Sequence, residues 1–178
     1  IPFVSLRHGM PEALLAGQGG FSDAVAAVQT SLAAPSLHID LGQRCIVASG
    51  RQIKLPPAEL ALLAVFARRA VQGLDALPAP AKGAPDPDWA QRYLREYRAI
   101  TGTLADIAST EHALRNGMDG EYFSQRKSKL ERSLKKALGA AVTAYLIADG
   151  GVRPRRYGLT LHPDAIHFVQ NATFKEEQ

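Results

Sequence analysis

The stretches "FSQRKSKLERSLKKALG" (residues 123–139) and "DGGVRPRRYGLTL" (residues 149–161) are the parts of this chain that most clearly indicate its fold. The apolar residues of the first fall within one stripe about 100° wide on a helical wheel. They are Phe123, Leu130, Leu134, Ala137 and Leu138. The second begins with the turn residues Asp149, Gly150 and Gly151 and continues as a strand-like run. We predict a helix that packs by its apolar face, followed by a β-hairpin with arginines at its tip.

The other face of this helix carries cationic and amide side chains. Lys129, Arg132 and Lys136 recur at i, i+3 and i+7. A recognition helix needs such a face, because long polar side chains must reach phosphates and base edges in the major groove. Arginines at a hairpin tip can contact the backbone or the minor groove. The predicted nucleic-acid-binding residues are Gln125, Ser128, Lys129, Arg132, Lys136, Arg153, Arg155 and Arg156.

A solvated polar face accounts for the helix pattern equally well when the helix is taken alone. The hairpin that follows at once is what favours a winged helix. The predicted fold class is therefore α+β, a winged helix-turn-helix with a β-meander before it. Many winged helices serve in dimerisation or protein contacts instead, since a fold does not determine a function.

The preceding residues predict the rest of this domain. "SLHIDL", "RCIVAS" and "RQIKL" indicate an antiparallel meander, and "AELALLAVFARRAVQG" a helix with a core-facing stripe at positions 60, 63, 64, 67 and 71 and a glycine at its end. The Pro/Ala-rich residues 77–88 are expected to be a surface insertion. Asp88 is expected to cap the helix "WAQRYLREYRAITG", and "LADIASTEHALRNGM" predicts another helix. "TAYLIAD" and "RYGLTL" predict the hairpin strands, and "AIHFV" a last strand.

Composition bounds the setting of the protein. The 178 residues are 46% hydrophobic and 21% charged, with a formal net charge of +4. No apolar run approaches the roughly 20 residues needed to cross a bilayer. The single cysteine, Cys45, excludes an intrachain disulfide and favours a reducing, cytoplasmic setting. The start at Ile1, within an apolar strand-like run, suggests a piece of a longer protein.

No catalytic or metal-binding residue is predicted. Two Ser-x-x-Lys matches, at Ser124 and Ser133, lack the companion motifs of serine acyl-enzymes. His162, Asp164 and His167 do not have the spacing of a known metal site. The other histidines, among them His8 beside Arg7, have no partner at a fixed spacing. We therefore expect no cofactor and no metal.

The combination of "IPFVSLR", "FSDAVAAVQ", "IKLPPAELALLAVFARRA", "SKLERSLKKALG" and "RRYGLTLHPDAI" resembles the C-terminal part of a family of CRISPR-associated accessory proteins. That family joins a CARF domain, a Rossmann-like sensor of cyclic oligoadenylate, to a winged helix, and its members are often described as ring nucleases. The resemblance implies that residues 1–34 are the C-terminal remnant of the CARF domain and that residues 35–178 are the winged-helix domain. The ligand and cleavage residues of such proteins would precede Ile1.

Three functions stay open at this point. The leading expectation is a winged-helix module of a cyclic-oligoadenylate-responsive protein, in which it contacts duplex nucleic acid or relays the sensor's state in antiviral defence. The second is a ring nuclease in which this region only supports a homodimer. The third is a structural dimerisation module with a solvated basic face. In each of them the 178 residues are expected not to be catalytic by themselves.

Overall fold

The computed structural model describes residues 34–102, 107–151 and 153–169. The chain divides into two compact units, Ile1–Pro35 and Ser36–Gln178, and nearly all described residues belong to the second. The predicted remnant of a CARF domain at residues 1–34 falls almost wholly outside the described residues. The second unit contains helices and two small sheets, which confirms the α+β class.

The predicted meander is present as three short antiparallel strands, β1 (Leu37–Asp40), β2 (Cys45–Ala48) and β3 (Arg51–Lys54). The Asp40 carboxylate accepts the backbone N–H of Gln43 at 2.8 Å and so fixes the first turn. The predicted last strand, β7 (Ile166–Phe168), is also present. It pairs in parallel with β1 and gives the sheet order β3-β2-β1-β7.

Helix α1 (Pro57–Val71) is the centre of the core. Every residue from Glu59 to Ala67 is buried, whereas the sequence predicts only a stripe. The predicted stripe is too narrow because the helices α2 (Pro87–Thr101) and α4 (Gly120–Leu138) and both sheets pack around this helix. Val71, which the stripe included, is 45% exposed. The predicted C-terminal glycine is confirmed: Gly73 has φ +64° and the N–H of Leu74 reaches the Arg69 carbonyl at 2.9 Å.

Most of residues 77–88 are exposed, as expected of a surface segment, but the prediction that the segment contains no strand is wrong. Leu77–Pro78 forms strand β4, which pairs with the hairpin strand that comes much later in the chain. The indole N–H of Trp89 donates to the Pro78 carbonyl at 2.9 Å. The N–H of Gly120 donates to the Ala81 carbonyl at 3.1 Å. The proline-rich composition did not indicate these two contacts, because both are accepted by backbone carbonyl groups, which proline has like any other residue.

Helix α2 spans Pro87–Thr101, and its cap is Asp86 rather than the predicted Asp88. The Asp86 carboxylate accepts the N–H groups of Asp88 and Trp89 at 2.9 and 3.1 Å. Pro87 then occupies the first helical position, where its missing N–H costs nothing. The predicted buried side of α2 is confirmed at Trp89, Tyr93, Leu94, Tyr97 and Ile100. Helix α3 is short, Ile107–Ala113.

Helix α4 spans Gly120–Leu138 and leads into a 3₁₀ helix, Gly139–Tyr145. The hairpin strands are β5 (Ile147–Ala148) and β6 (Arg156–Leu159), in a sheet of order β4-β6-β5. The first hairpin strand is therefore shorter than "TAYLIAD" predicts. Tyr145 lies in the 3₁₀ helix because its buried side chain reaches the meander, where its hydroxyl accepts the N–H of Ser49 at 2.9 Å.

Hydropathy and length together leave no membrane-spanning candidate among the helices that the structure describes. Their apolar faces are instead used in the core, where α1 packs against α2 and α4.

Gly120 provides a test of this packing. A Cβ added there would lie 2.6 Å from the Pro80 carbonyl oxygen, so the start of α4 and the 80–82 segment would have to separate. We expect Gly120→Ala to lower the free energy of unfolding by about 1–3 kcal/mol, measured by denaturant titration. Gly158→Ala is the matched control, because its Cβ would meet only Ala76, whose Cβ lies at an ordinary contact distance of 3.6 Å. Equal effects of the two changes would contradict the close contact.

Candidate nucleic-acid interface

The inner face of α4 is anchored by the predicted apolar stripe. Phe123, Leu130 and Leu134 are each 1% exposed and Leu138 is 6% exposed. The Phe123 ring meets Trp89 at 5.2 Å and Tyr157 of β6 at 5.3 Å between ring centroids. Helix α4 is therefore fixed both to α2 and to the hairpin, and its outer face has a defined direction.

Both ends of α4 have hydrogen-bond partners, one local and one from a distant segment. The Asp119 carboxylate accepts the N–H of Tyr122 at 2.8 Å and caps the first turn. At the other end the Arg51 guanidinium donates to the Ala137 carbonyl at 2.9 Å. A helix held at both termini can present its outer side chains without bending.

The predicted contact residues of α4 share the outer face. Gln125, Ser128, Lys129, Arg132 and Lys136 are all exposed. Within the described residues, none of the three cations among them has a carboxylate within ion-pair distance. Lys135, which is not among the predicted contact residues, is also exposed. The face is cationic over its C-terminal two-thirds and carries Glu121 in its first turn.

Arg126 and Lys127, which belong to the same basic run, do not lie on this face. Lys127 is half-buried, pairs with Glu131 and lies 5.5 Å from the centroid of the Tyr157 ring. Arg126 lies over the Tyr122 ring and 3.8 Å from the Glu59 carboxylate. A count of charges along the sequence therefore overstates the charge available to a partner.

The hairpin arginines are exposed but not equivalent. Arg155 lies 3.4 Å from the Asp149 carboxylate, which offsets part of its charge. Arg156 donates to the Ala76 carbonyl at 3.4 Å, in the segment before β4. Arg153 has no ion-pair partner in the part of the chain that the structure describes. The Asp149–Arg155 contact was not predicted, because it forms only when the two sides of the hairpin come together.

The sequence also missed a cleft beside the outer face of α4. It is lined by residues from the start of α1, from α2, α3 and α4, including Glu59, Tyr97, Arg126, Lys129 and Arg132. Glu59 is 4% exposed, and its Oε2 has no hydrogen-bond partner among described residues. Burial acts against the charge of Arg126, but Tyr122, Tyr93 and the Glu59 carboxylate outweigh it, so the pKa of Arg126 lies above its ordinary value.

Two of the histidines considered as metal ligands lie within the described residues. His162 is exposed, with Nδ1 3.4 Å from the Asp164 carboxylate, and His167 stacks on His38 across β7 and β1 at 4.7 Å. No group of three or more potential metal-ligating side chains occurs within residues 34–102, 107–151 and 153–169. His8 lies outside the described residues.

Comparisons with family models, with curated proteins and with solved structures gave no match for this chain. The family resemblance stated from the residues therefore stays an expectation.

The buried side chain of Tyr93 leads to a prediction about how stability depends on pH. Its hydroxyl donates to the Ala58 carbonyl at 3.1 Å, and burial raises its pKa well above the ordinary value, with Tyr122 adding to the shift. Because the folded state disfavours the tyrosinate, this stability is present below the unfolded pKa of about 10 and is lost as the pH rises above it.

We expect the free energy of unfolding to fall above about pH 10 in the unchanged chain and to fall less in Tyr93→Phe. Denaturant titrations between neutral and alkaline pH measure both slopes. Tyr157→Phe serves as the control, since Tyr157 is only half-buried. A Tyr93→Phe chain with the same alkaline loss as the unchanged chain would contradict the assignment.

Proposed function

We propose that residues 36–169 form a winged-helix module that contacts duplex nucleic acid through α4 and the hairpin tip. One observation carries the proposal: a row of exposed cations, Lys129, Arg132 and Lys136, without ion-pair partners among the described residues, on a helix whose opposite face is buried. A solvated helix face needs no such segregation of charge, and Glu131, the acid within the run, is turned away to Lys127.

The dimensions of the row suit a major groove. At 1.5 Å rise per residue, Lys129 and Lys136 are separated by about 10 Å along the helix axis. This is close to the ~12 Å width of the groove, so the row could place its cations near both phosphate backbones. Gln125 and Ser128, on the same face, could hydrogen-bond to base edges or phosphates.

The order of elements supports the winged-helix part of the proposal. Helix α1 is followed by β4, then by α2 and α3, then by α4 and the β5–β6 hairpin. β4 joins the hairpin in one sheet, so the hairpin has a fixed base next to α4. Exposed Arg153 at its tip then suits a backbone or minor-groove contact.

In the family that the sequence resembles, this module would belong to a cyclic-oligoadenylate-responsive protein of CRISPR defence. It would then either act on nucleic acid when the sensor is occupied or relay the sensor's state to a partner. The exposed cations favour nucleic acid, because a phosphate backbone is the partner that such a row matches best.

The salt dependence of duplex binding tests the interface. Each phosphate contact contributes about −0.9 to the slope of log K against log salt concentration. We expect the triple variant Lys129→Ala, Arg132→Ala, Lys136→Ala to reduce the magnitude of the slope by up to about 2.7, measured by fluorescence anisotropy with a labelled duplex.

The control for this experiment removes the same charge elsewhere. Arg44, Lys54 and Arg115 are exposed, and none has an ion pair within the described residues. Their replacement by alanine should leave the slope near that of the unchanged chain. An unchanged slope in the α4 variant, or equal losses in both variants, would count against the proposed face.

The family part of the proposal makes a separate prediction. The sequence singles out no catalytic residue, so we expect the 178-residue chain not to linearise cyclic tetra-adenylate. Incubation followed by chromatography of the adenylate products measures this. Linear products, lost on heat denaturation of the chain, would instead favour the enzyme hypothesis and place the reacting groups within these residues.

A further inference from the structure

A second cationic site lies between α1 and α2 and shares no residue with α4 or the hairpin. Its cleft, of about 410 Å³, is lined by two arginines from the end of α1 and two from the middle of α2, with one carboxylate. They are Arg68, Arg69, Arg92, Arg95 and Glu96. Four positive charges against one negative charge leave a surplus of three. The site could not be predicted from the sequence, because its four arginines occur as two pairs that are far apart in the chain.

Glu96 organises half of the cleft. It is 1% exposed, and its two oxygens accept from Arg68 at 2.7 Å and from Arg95 at 3.2 Å. Arg68 is held from the other side by the Phe168 ring, whose centroid lies 4.3 Å from the guanidinium carbon. A buried carboxylate thereby fixes the directions of two guanidinium groups, with one hydrogen bond to each of its oxygens.

Arg69 and Arg92 carry the charge that remains. Arg69 donates to the Asp75 carbonyl, but its buried Nε has no partner within the described residues. Arg92 is exposed and has no ion pair there. Burial and the nearby positive charge of Arg92 lower the pKa of Arg69, and Asp75 offsets only part of this. The cationic side chains of the cleft therefore disfavour one another's charge, and a bound anion would offset this repulsion.

We propose that this cleft binds a phosphate group. Guanidinium groups present forked N–H donors that match the oxygens of phosphate or carboxylate. A surplus of three positive charges favours the more highly charged phosphate over a single carboxylate. The cleft is within the size range of small-ligand sites, and the side chains of Val65, Leu74 and Ala99 give it an apolar margin. The phosphate could come from a small phosphorylated molecule or from a nucleic-acid backbone.

The test uses the full 178-residue chain with two probes, inorganic phosphate and a single-stranded oligodeoxynucleotide of roughly 12 nucleotides. All measurements are made by isothermal titration calorimetry at one ionic strength, in the background of the triple α4 variant described above, so that α4 does not contribute. The cleft variant is Arg69→Gln with Arg92→Gln. The charge-matched control is Arg44→Gln with Arg115→Gln, both exposed and outside the cleft.

We expect the cleft variant to weaken binding about tenfold or more and the control to change it less than about twofold. If inorganic phosphate shows this difference, the cleft accepts a free phosphate group; if only the oligonucleotide shows it, the phosphate is that of a backbone. Undetectable binding of both probes, or equal losses in cleft variant and control, would overturn the proposal.

A further variant separates binding from folding. Arg92→Gln alone removes a side chain that makes no ion pair or side-chain hydrogen bond among the described residues, so its thermal unfolding should match that of the parent chain. It should still weaken the binding of the effective probe severalfold. Parental affinity in a correctly folded Arg92→Gln chain would also overturn the proposal.

Discussion

Four aromatic rings meet where the helices join the hairpin, and the described structure depends on that meeting. Phe66 of α1, Trp89 of α2, Phe123 of α4 and Tyr157 of β6 are linked by centroid distances from 5.2 to 6.4 Å. Edge-to-face and tilted contacts of this kind add directional preference to the burial of large apolar area. They fix the angle of α4 relative to α1, and so determine which of its residues reach the surface.

Prediction of secondary structure from the sequence was most successful where apolar residues recur with a single period. The stripe of Phe123, Leu130, Leu134 and Leu138 predicted both the existence and the buried side of α4. The meander was predicted because its turns and alternation are local. Prediction from the sequence was wrong where contacts between distant residues override the local pattern. Helix α1 is buried on all sides instead of along one stripe. The proline-rich segment contributes β4 by pairing with residues some 80 positions later, as in the Leu77–Tyr157 pair. No local signal encodes such pairings.

The candidate surface shows the same division. Helical periodicity identified Lys129, Arg132 and Lys136 as outward-facing, and all three are exposed. Periodicity could not show that Arg126 turns toward Glu59 or that Asp149 lies beside Arg155, because those ion pairs depend on tertiary packing. The cleft between α1 and α2 was invisible for the same reason. Arginines that occur as short, separate pairs in the sequence become one cluster only after two helices pack side by side.

The parallel pairing of β7 with β1 has a mechanical consequence. Leu37 lies opposite Ile166 and Ile39 opposite Phe168, so the chain enters the second unit along one strand and passes out of its described part along the adjacent strand in the same direction. A tension applied between the residue before β1 and the residue after β7 would therefore act along the strands. Such a force loads their hydrogen bonds together in shear instead of opening them one after another, and the helices and the hairpin would lie outside the loaded path.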